Sequence, residues 1–371
     1  MLIWHKAVTS LSNRYTRLHT RMASVTTGRK RKVIIDTDAG VDDAQALMIA
    51  LTQHKLGNLE IIGISTVTGN VKLQRVIQNV ARVQHTLGTS IPIYKGARFP
   101  LLGRSGVNAS YWHGTDGLGD SNFPDLGTES SLCFPGTSED SMNTAECASH
   151  SAAVNLSKLV RKYPNEVSIV ALGPLTNIAL ALSLDPELSG LVQEFWWMGG
   201  SRSSGNITKF AEFNAYGDPE ALAVCLSNFR RIQCVDWQAT LDHGISFKFV
   251  EALFEKSSHT TNGRFMSAIS KKLIAQSKSS EYSRNGFLIP DPLCMIAFCF
   301  RGCVKEYIDS KVVCNINDVE QRGRTICTDA VASSLNSDWP STEEGEACNV
   351  RFFTRLDMKC IEEAFLGVCS V

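Results

Sequence analysis

The stretch VIIDTDAGVDDAQALMIAL, residues 33 to 51, puts four aspartates into eight positions: Asp36, Asp38, Asp42 and Asp43. An apolar, β-branched run precedes them and an apolar pattern at helical spacing follows, so KVIID reads as a buried strand and DDAQALMIALTQ as a helix. One aspartate after a strand is ordinarily a helix N-cap, which would account for Asp42 or Asp43 alone. It does not account for all four, because like charges this close repel one another and partial burial at a strand end raises the cost. A bound hard cation removes that cost. Carboxylates, backbone carbonyls and water are the ligands that Ca²⁺ or Mg²⁺ takes. Asp38 ends the strand, Asp42 and Asp43 open the helix, and Gly40 lets the turn between them close tightly. By its place in the strand, Asp36 supports the loop from behind.

Outward from this corner the chain alternates. LEIIGISTVTGN is a second strand ending in a polar turn, LQRVIQNVARVQHTLG a second helix, and IPIYKG a short third strand. EVSIVALGPLTNIALALSLDP gives strand, Gly-Pro turn and helix, while LVQEFWWMGGS and RRIQCVDW read as further strands. Alternation of this kind predicts an α/β fold: a single domain with a mainly parallel central sheet, Rossmann-like in its core, and helices on both faces. Ligands of such sheets bind outside the carboxyl ends of the strands. There lie Asp36 to Asp43, Asn70, Leu172 to Asn177, and Met198 onward.

Composition bounds the rest. The 371 residues are 43% hydrophobic and 20% charged with a formal net charge of zero, enough chain for a large core and no electrostatic reason to expect nucleic acid as a partner. No apolar run approaches the roughly 20 residues of a membrane span. The twelve cysteines, Cys133 to Cys369, include no CxxC pair. They are expected to be reduced, mostly buried thiols in an intracellular protein, and Cys294, Cys299 and Cys303 to belong to the core rather than to a metal. Residues 1–31 are basic and acid-free. They are expected to be a disordered leader, to precede a translation start at Met22, or to form a mitochondrial targeting segment, with a cytoplasmic protein as the default. Ser121–Cys147 is read as a surface loop near the site or a disordered insertion, and SSLNSDWPSTEEGEACN as similarly loop-like.

Two enzyme classes compete for the aspartates. A strand ending in DxD is similar to haloacid-dehalogenase-type phosphatases, but that pattern wants Thr or Val where this chain has Gly40, and it has no use for Asp42 and Asp43. DTDAGVDDAQAL instead resembles the N-terminal signature of the nucleoside hydrolases, the inosine-uridine-preferring N-ribohydrolase family. The resemblance continues in order through TVTGN (66–70), WHGTDGLG (112–119), ALGPLTNIALAL (171–182), MGGS (198–201), GNITKFAEFNAYGDPEAL (205–222) and DPLCMIA (291–297). It spans about residues 32 to 371.

The resemblance implies calcium-dependent hydrolysis of ribonucleosides to free base and ribose, in a dimer or tetramer. One Ca²⁺ would be held by Asp38, Asp43, the Leu172 carbonyl and Asp291, and would also bind the ribose hydroxyls and the attacking water. Asp38 matches the general base on that water and Asp42 the residue that binds the ribose 2′-hydroxyl. Asn70, Asn206, Glu212 and Asn214 match the remaining ribose-binding positions, with Met198 beside them and Asp291 shared between metal and sugar. An anionic, amide-rich pocket suits the oxocarbenium-like transition state of glycosidic cleavage. Residue chemistry alone makes Asn206 equally a turn residue, Asp218 a helix cap ahead of Pro219, and Asn177 a structural amide. Glu212 and Asn214 have no evident turn role, so ligand binding is their reading. His113, in a glycine-rich loop, is a candidate for acting near the base.

The pattern breaks at one place. In the best-known branch of the family a histidine precedes the last metal-binding aspartate and helps protonate the departing base, and here that position is Pro290. A missing general acid is worth roughly 10²–10⁴-fold. Trp112, His113, Tyr282 and Arg284 are candidates to compensate, by stacking or by donating a proton. The same break admits a catalytically impaired calcium- and ribose-binding homologue as the alternative. The preferred base is left open.

Overall fold

Val33, Ile34 and Ile35 sit at the middle of the molecule and point alternately to its two cores. Ile34 packs into one, Val33 and Ile35 into the other, as period-two alternation requires of a strand covered on both faces. The computed structural model describes residues 30–103, 107–128, 132–133, 151–332 and 347–370. Residues 1–29 of the basic leader, and most of both loop-like stretches, lie outside the described residues.

In chain order, β1 (Arg31–Thr37) leads to α1 (Val41–Lys55), β2 (Leu59–Thr66), α2 (Leu73–Leu87) and β3 (Ile93–Lys95). The short α3 (Ser110–His113) precedes α4 (Ala152–Lys162), β4 (Val167–Ala171), α5 (Thr176–Leu184), α6 (Leu188–Leu191) and β5 (Glu194–Met198). Then come α7 (Phe213–Gly217), α8 (Pro219–Asn228), β6 (Ile232–Val235), α9 (Trp237–Asp242), α10 (Phe247–Lys256), α11 (Thr261–Ser279) and α12 (Pro290–Cys299). The chain finishes with β7 (Val304–Cys314), β8 (Thr325–Ala332), β9 (Val350–Leu356) and α13 (Met358–Cys369). All nine strands form one sheet in the order β3-β2-β1-β4-β5-β6-β9-β7-β8. The pairings from β3 through β9 are parallel, whereas β7 runs antiparallel to both β9 and β8.

The expected α/β architecture is therefore present, with an antiparallel edge added at its C-terminal end. α1 is buried around nearly its whole circumference, from Val41 to Gln53, because α12 packs on the side that the sheet does not cover. That packing fixes the site: Asp291, in the first turn of α12, arrives beside the first turn of α1.

The expectation that the thiols are reduced needs correction. Cys303 and Cys360 form a disulfide, their Cα atoms 5.8 Å apart, because α13 folds back beside the chain that leaves α12. A sequence separation of 57 gives no hint of such a pair. Cys294 and Cys303 lie in the core, as expected. No described helix is long and apolar enough to cross a membrane.

Candidate functional site

The strand-end loop between β1 and α1 is held by its own acids. Asp43 accepts hydrogen bonds from the Thr37 hydroxyl (2.5 Å), the Gly40 N–H (2.9 Å) and the Asn70 amide (3.0 Å), which leaves the carboxylate capping its own helix. Asp38 accepts one from the Asn70 N–H at 2.7 Å, and its other oxygen is buried without a partner. The sharp turn falls on Ala39, whose φ of 38° is left-handed, and the Asn79 amide anchors its carbonyl at 2.9 Å. Gly40 serves the turn differently from the expectation. Its φ of -75° suits any residue, but a Cβ there would stand 2.7 Å from the Asn70 amide and 2.9 Å from His113 Nδ1. Glycine is required for room.

Ligand atoms of Asp42, Asp43 and Asp291 lie within 4.8 Å of one another. Asp38 is not part of this trio, although it touches Asp43. Burial raises the affinity of all these carboxyls for a proton. Asp42 is pushed up to about 6 by burial. Asp38, Asp43 and Asp291 are raised by burial first and by a neighbouring carboxylate next: Asp43 acts on Asp38 and on Asp291, and Asp42 acts on Asp43. Asp36, also buried, is pushed up to about 7 although Asn177 (2.7 Å) and Ser65 (2.5 Å) donate to it. Those two bonds tie β1 to β2 and α5, the supporting role expected of Asp36 and Asn177.

Among the described residues no Lys or Arg ion-pairs with any of these five acids. The one basic neighbour is His113, whose Nδ1 stands 3.6 Å from Asp42. That nitrogen accepts the Val41 N–H at 3.1 Å, and burial pushes the ring down to about 4, so the imidazole is neutral with its proton on Nε2. Uncompensated buried carboxylates with an orphaned oxygen are what a hard cation would satisfy. The donor set therefore fits one.

The second wall comes from the loop after β5. Asn214 donates to the carbonyls of Leu172 (2.8 Å) and Met198 (3.0 Å), joining the ends of β4 and β5. Glu212 accepts from the N–H groups of Gly200 (2.8 Å), Asn214 (2.9 Å) and Ala215 (3.1 Å). The expectation that Glu212 and Asn214 lack turn chemistry is thus overturned: Glu212 is the N-cap of α7, and Asn214 clamps two strand ends. A carboxylate can be an N-cap, but Glu is rare there, which hid the signal. Burial still raises Glu212 to about 7 against those three donors. Asp218 caps α8 ahead of Pro219, as its pattern indicated.

These walls enclose a cavity of about 250 Å³. Asp42, Asn70, His113, Leu172, Met198, Asn206, Glu212, Asn214 and Asp291 all line it, while Asp38 and Asp43 sit behind its surface. Asn206 stands on the exposed rim, its side-chain oxygen accepting the Phe213 N–H at 2.9 Å. Pro290, Trp112 and Tyr282 also line it and Arg284 does not. Trp237, which the sequence reading passed over, also lines the cavity and packs edge-on against Tyr282, ring centroids 5.3 Å apart. Its place just past the carboxyl end of β6 was the available signal.

This chain belongs to the inosine-uridine preferring nucleoside hydrolase family, whose model matches residues 33–363. The family read from the ordered motifs is the one matched by the whole domain, and the phosphatase reading is left without support. The chain is 37% identical over 203 residues to uridine nucleosidase 1 of Arabidopsis thaliana, a match covering 54% of each chain. It spans about half the length of this and two other plant relatives it matches. With an uncharacterized protein of Schizosaccharomyces pombe it shares 30% identity over 341 residues, 90% of this chain and 92% of the other. The solved structure of an inosine-guanosine nucleoside hydrolase superposes with a TM-score of 0.76 at 28% identity, covering 92% of this chain and 99% of that one.

Proposed function

We propose that this protein hydrolyses the N-glycosidic bond of ribonucleosides, giving free base and ribose, with Ca²⁺ as its cofactor. The observation that carries the reading is the convergence of buried carboxylates from α1 and α12, paired with no Lys or Arg among the described residues, on a nucleoside-sized cavity. Asp38, Asp43, Asp291 and the Leu172 carbonyl would hold the ion. That carbonyl keeps a lone pair free beside its bond from Asn214. A set rich in carboxylates and fixed by buried backbone suits Ca²⁺, with its six to eight oxygens, better than Mg²⁺, which keeps most of its water.

When bound, the cation supplies positive charge that orients a water and eases its deprotonation. Asp38 takes the proton of the water that attacks C1′. Asp42 and Asn70 address the sugar hydroxyls from the α1 side, and Asn206, Glu212 and Asn214 enclose the sugar from the β5 side, with Met198 beside it. The C1′–N bond breaks, its electron pair leaves with the base, and the base takes up a proton. Neutral His113 offers its Nε2–H near that end of the cavity as a hydrogen-bond donor. The partner is a small-molecule ribonucleoside, and the proposal extends to a cytoplasmic homodimer or homotetramer.

Ribose release from a panel of purine and pyrimidine ribonucleosides, with calcium and with chelator, is the test. Release is expected to vanish in chelator, to return with calcium, and to be lost in Asp38→Ala with the fold intact. Ribose from none of the panel would sink the hydrolase reading, and release indifferent to chelator would sink the calcium. Calcium-dependent riboside binding without turnover would describe a binding protein instead.

A further inference from the structure

The antiparallel edge of the sheet reaches the candidate site through one turn, residues 315–324 between β7 and β8. Thr325, the first residue of β8 and buried, grips Ser201 twice: its hydroxyl donates to the Ser201 carbonyl at 2.7 Å and accepts the Ser201 N–H at 2.9 Å. The adjoining Gly200 has a φ of 67°, and a Cβ there would meet the Thr325 methyl at 2.8 Å. Gly200 in turn donates its N–H to Glu212 at 2.8 Å and accepts the Trp237 N–H at 2.9 Å. Two further contacts come from the same turn. Arg322 Nη2 reaches both oxygens of Glu220 at 2.6 Å, and a Cβ on Gly323 would stand 2.9 Å from the Tyr216 Cα. The turn and the first residue of β8 together therefore touch the β5–α8 segment at Ser201, Tyr216 and Glu220, bracketing Asn206, Glu212 and Asn214.

We infer that Thr325 is a positioning residue for the sugar-binding wall: through Ser201 and Gly200 its hydroxyl sets where Glu212 and the loop around it stand. The inference rests on the hydrolase reading for what the wall binds, but not for the positioning itself. Thr325 touches no substrate. A hydroxyl serving one backbone unit as both donor and acceptor fixes that unit in place and orientation, which a merely space-filling side chain does not. Sugar binding is consequently the step that should respond to its loss, more than the strand-end acids, which hang from β1 and α12.

The test compares Thr325→Val, which keeps the shape and removes both bonds, with Thr325→Ser, which keeps the hydroxyl, in the full chain. Amide hydrogen exchange is expected to quicken across 199–215 in Thr325→Val and to stay unchanged across 33–51. KM for a ribonucleoside is expected to rise about tenfold with kcat altered less than about threefold, because losing two buried hydrogen bonds loosens the wall that binds the sugar and leaves the reacting groups in place. Thr325→Ser should restore both readouts. Unchanged exchange across 199–215 would overturn the inference, and so would a fall in kcat and Tm with KM untouched. Should Thr325→Val not fold, Arg322→Ala loosens the same turn at a half-exposed contact and is judged by the same two readouts. A wild-type chain that releases no ribose refutes the hydrolase reading alone, because the exchange comparison still decides the positioning.

Discussion

The middle of the sheet and its antiparallel edge both bury charge, on opposite terms. At the carboxyl end of β1, five acids (Asp36, Asp38, Asp42, Asp43 and Asp291) are buried with no arginine or lysine to answer them among the described residues. At the edge, Arg351 on β9 meets Asp309 on β7 through two hydrogen bonds of 2.6 and 2.8 Å, both side chains buried. Arg322 meets Glu220 nearby at a half-exposed contact, whereas Arg355 and Glu306 pair in solvent and belong to the surface. Paired buried charge is scaffold: each ion solves the other's desolvation. Unpaired buried charge is kept at a cost in stability, and in a cleft that cost marks a site where a ligand completes the pairing.

The contrast makes the largest prediction, two substitutions with stability changes of opposite sign. Asp291→Asn removes one charge from a mutually repelling group. Its Tm in chelator is expected to rise by a few degrees, its stabilisation by calcium to disappear, and its turnover to fall by at least about a hundredfold. Arg351→Met takes the guanidinium and its two hydrogen bonds from the buried Asp309 carboxylate, and should destabilise by about 3–5 kcal/mol while the folded fraction keeps its KM. Thermal melts with and without calcium read both. A lower Tm for Asp291→Asn in chelator would mean that the acids stabilise one another without a cation, and the contrast would fail.

Two glycines sharpen it at smaller scale. Gly40→Ala drives a methyl into Asn70 and His113, in the corner where the acids meet. It is expected to lower kcat/KM by about 10–100-fold, as small displacements at reacting groups do, with a modest change in Tm. Gly323→Ala places a side chain at φ 80° in the edge turn, a strain of about 1–2 kcal/mol, and should act first on Tm. Equal effects of the two on activity would dissolve the distinction between site and scaffold.

How legible each region was in the sequence follows from the same physics. β1 and α1 announce themselves because Val33 to Ile35 and the apolar helix pattern are local, and because four acids in eight residues exceed what capping explains. The parallel strands up to β6 were readable for the same reason. The edge was not. Of β7, VKEYIDSKVVC, only part is buried, and its partners β8 and β9 are separated from one another by a polar stretch, so no local period reveals the pairing. The Cys303–Cys360 link and the grip of Thr325 on Ser201 join residues 57 and 124 apart in sequence, and only the finished fold shows such contacts. At the site, the resemblance named which residues gather but not how each is engaged. It assigned Glu212 and Asn214 to the sugar, whereas their hydrogen bonds also hold the loop together. It grouped Asp38 with the metal ligands, whereas the tight trio contains Asp42.

The smallest effect is expected at a residue that sequence alone ranks equal to a much more consequential one. Asn206 and Asn214 both match sugar-binding positions, and both are asparagines of the segment between β5 and α8. Asn214 is buried, and its amide serves two carbonyls, Leu172 and Met198, at strand ends that frame the cavity. Asn206 stands on the exposed rim, its oxygen on a single N–H that water could satisfy in its place. Removing a partner from buried carbonyls leaves them unsatisfied, whereas removing one from a solvated N–H does not. Asn206→Ala should therefore raise KM by about twofold to fivefold with Tm unchanged, and Asn214→Ala by more than about tenfold with a lower Tm. Steady-state kinetics and melts of the two variants side by side decide it. If Asn206→Ala proved the more damaging, the rim would be closing on the sugar during turnover, and burial would be the wrong guide to which of the two asparagines matters.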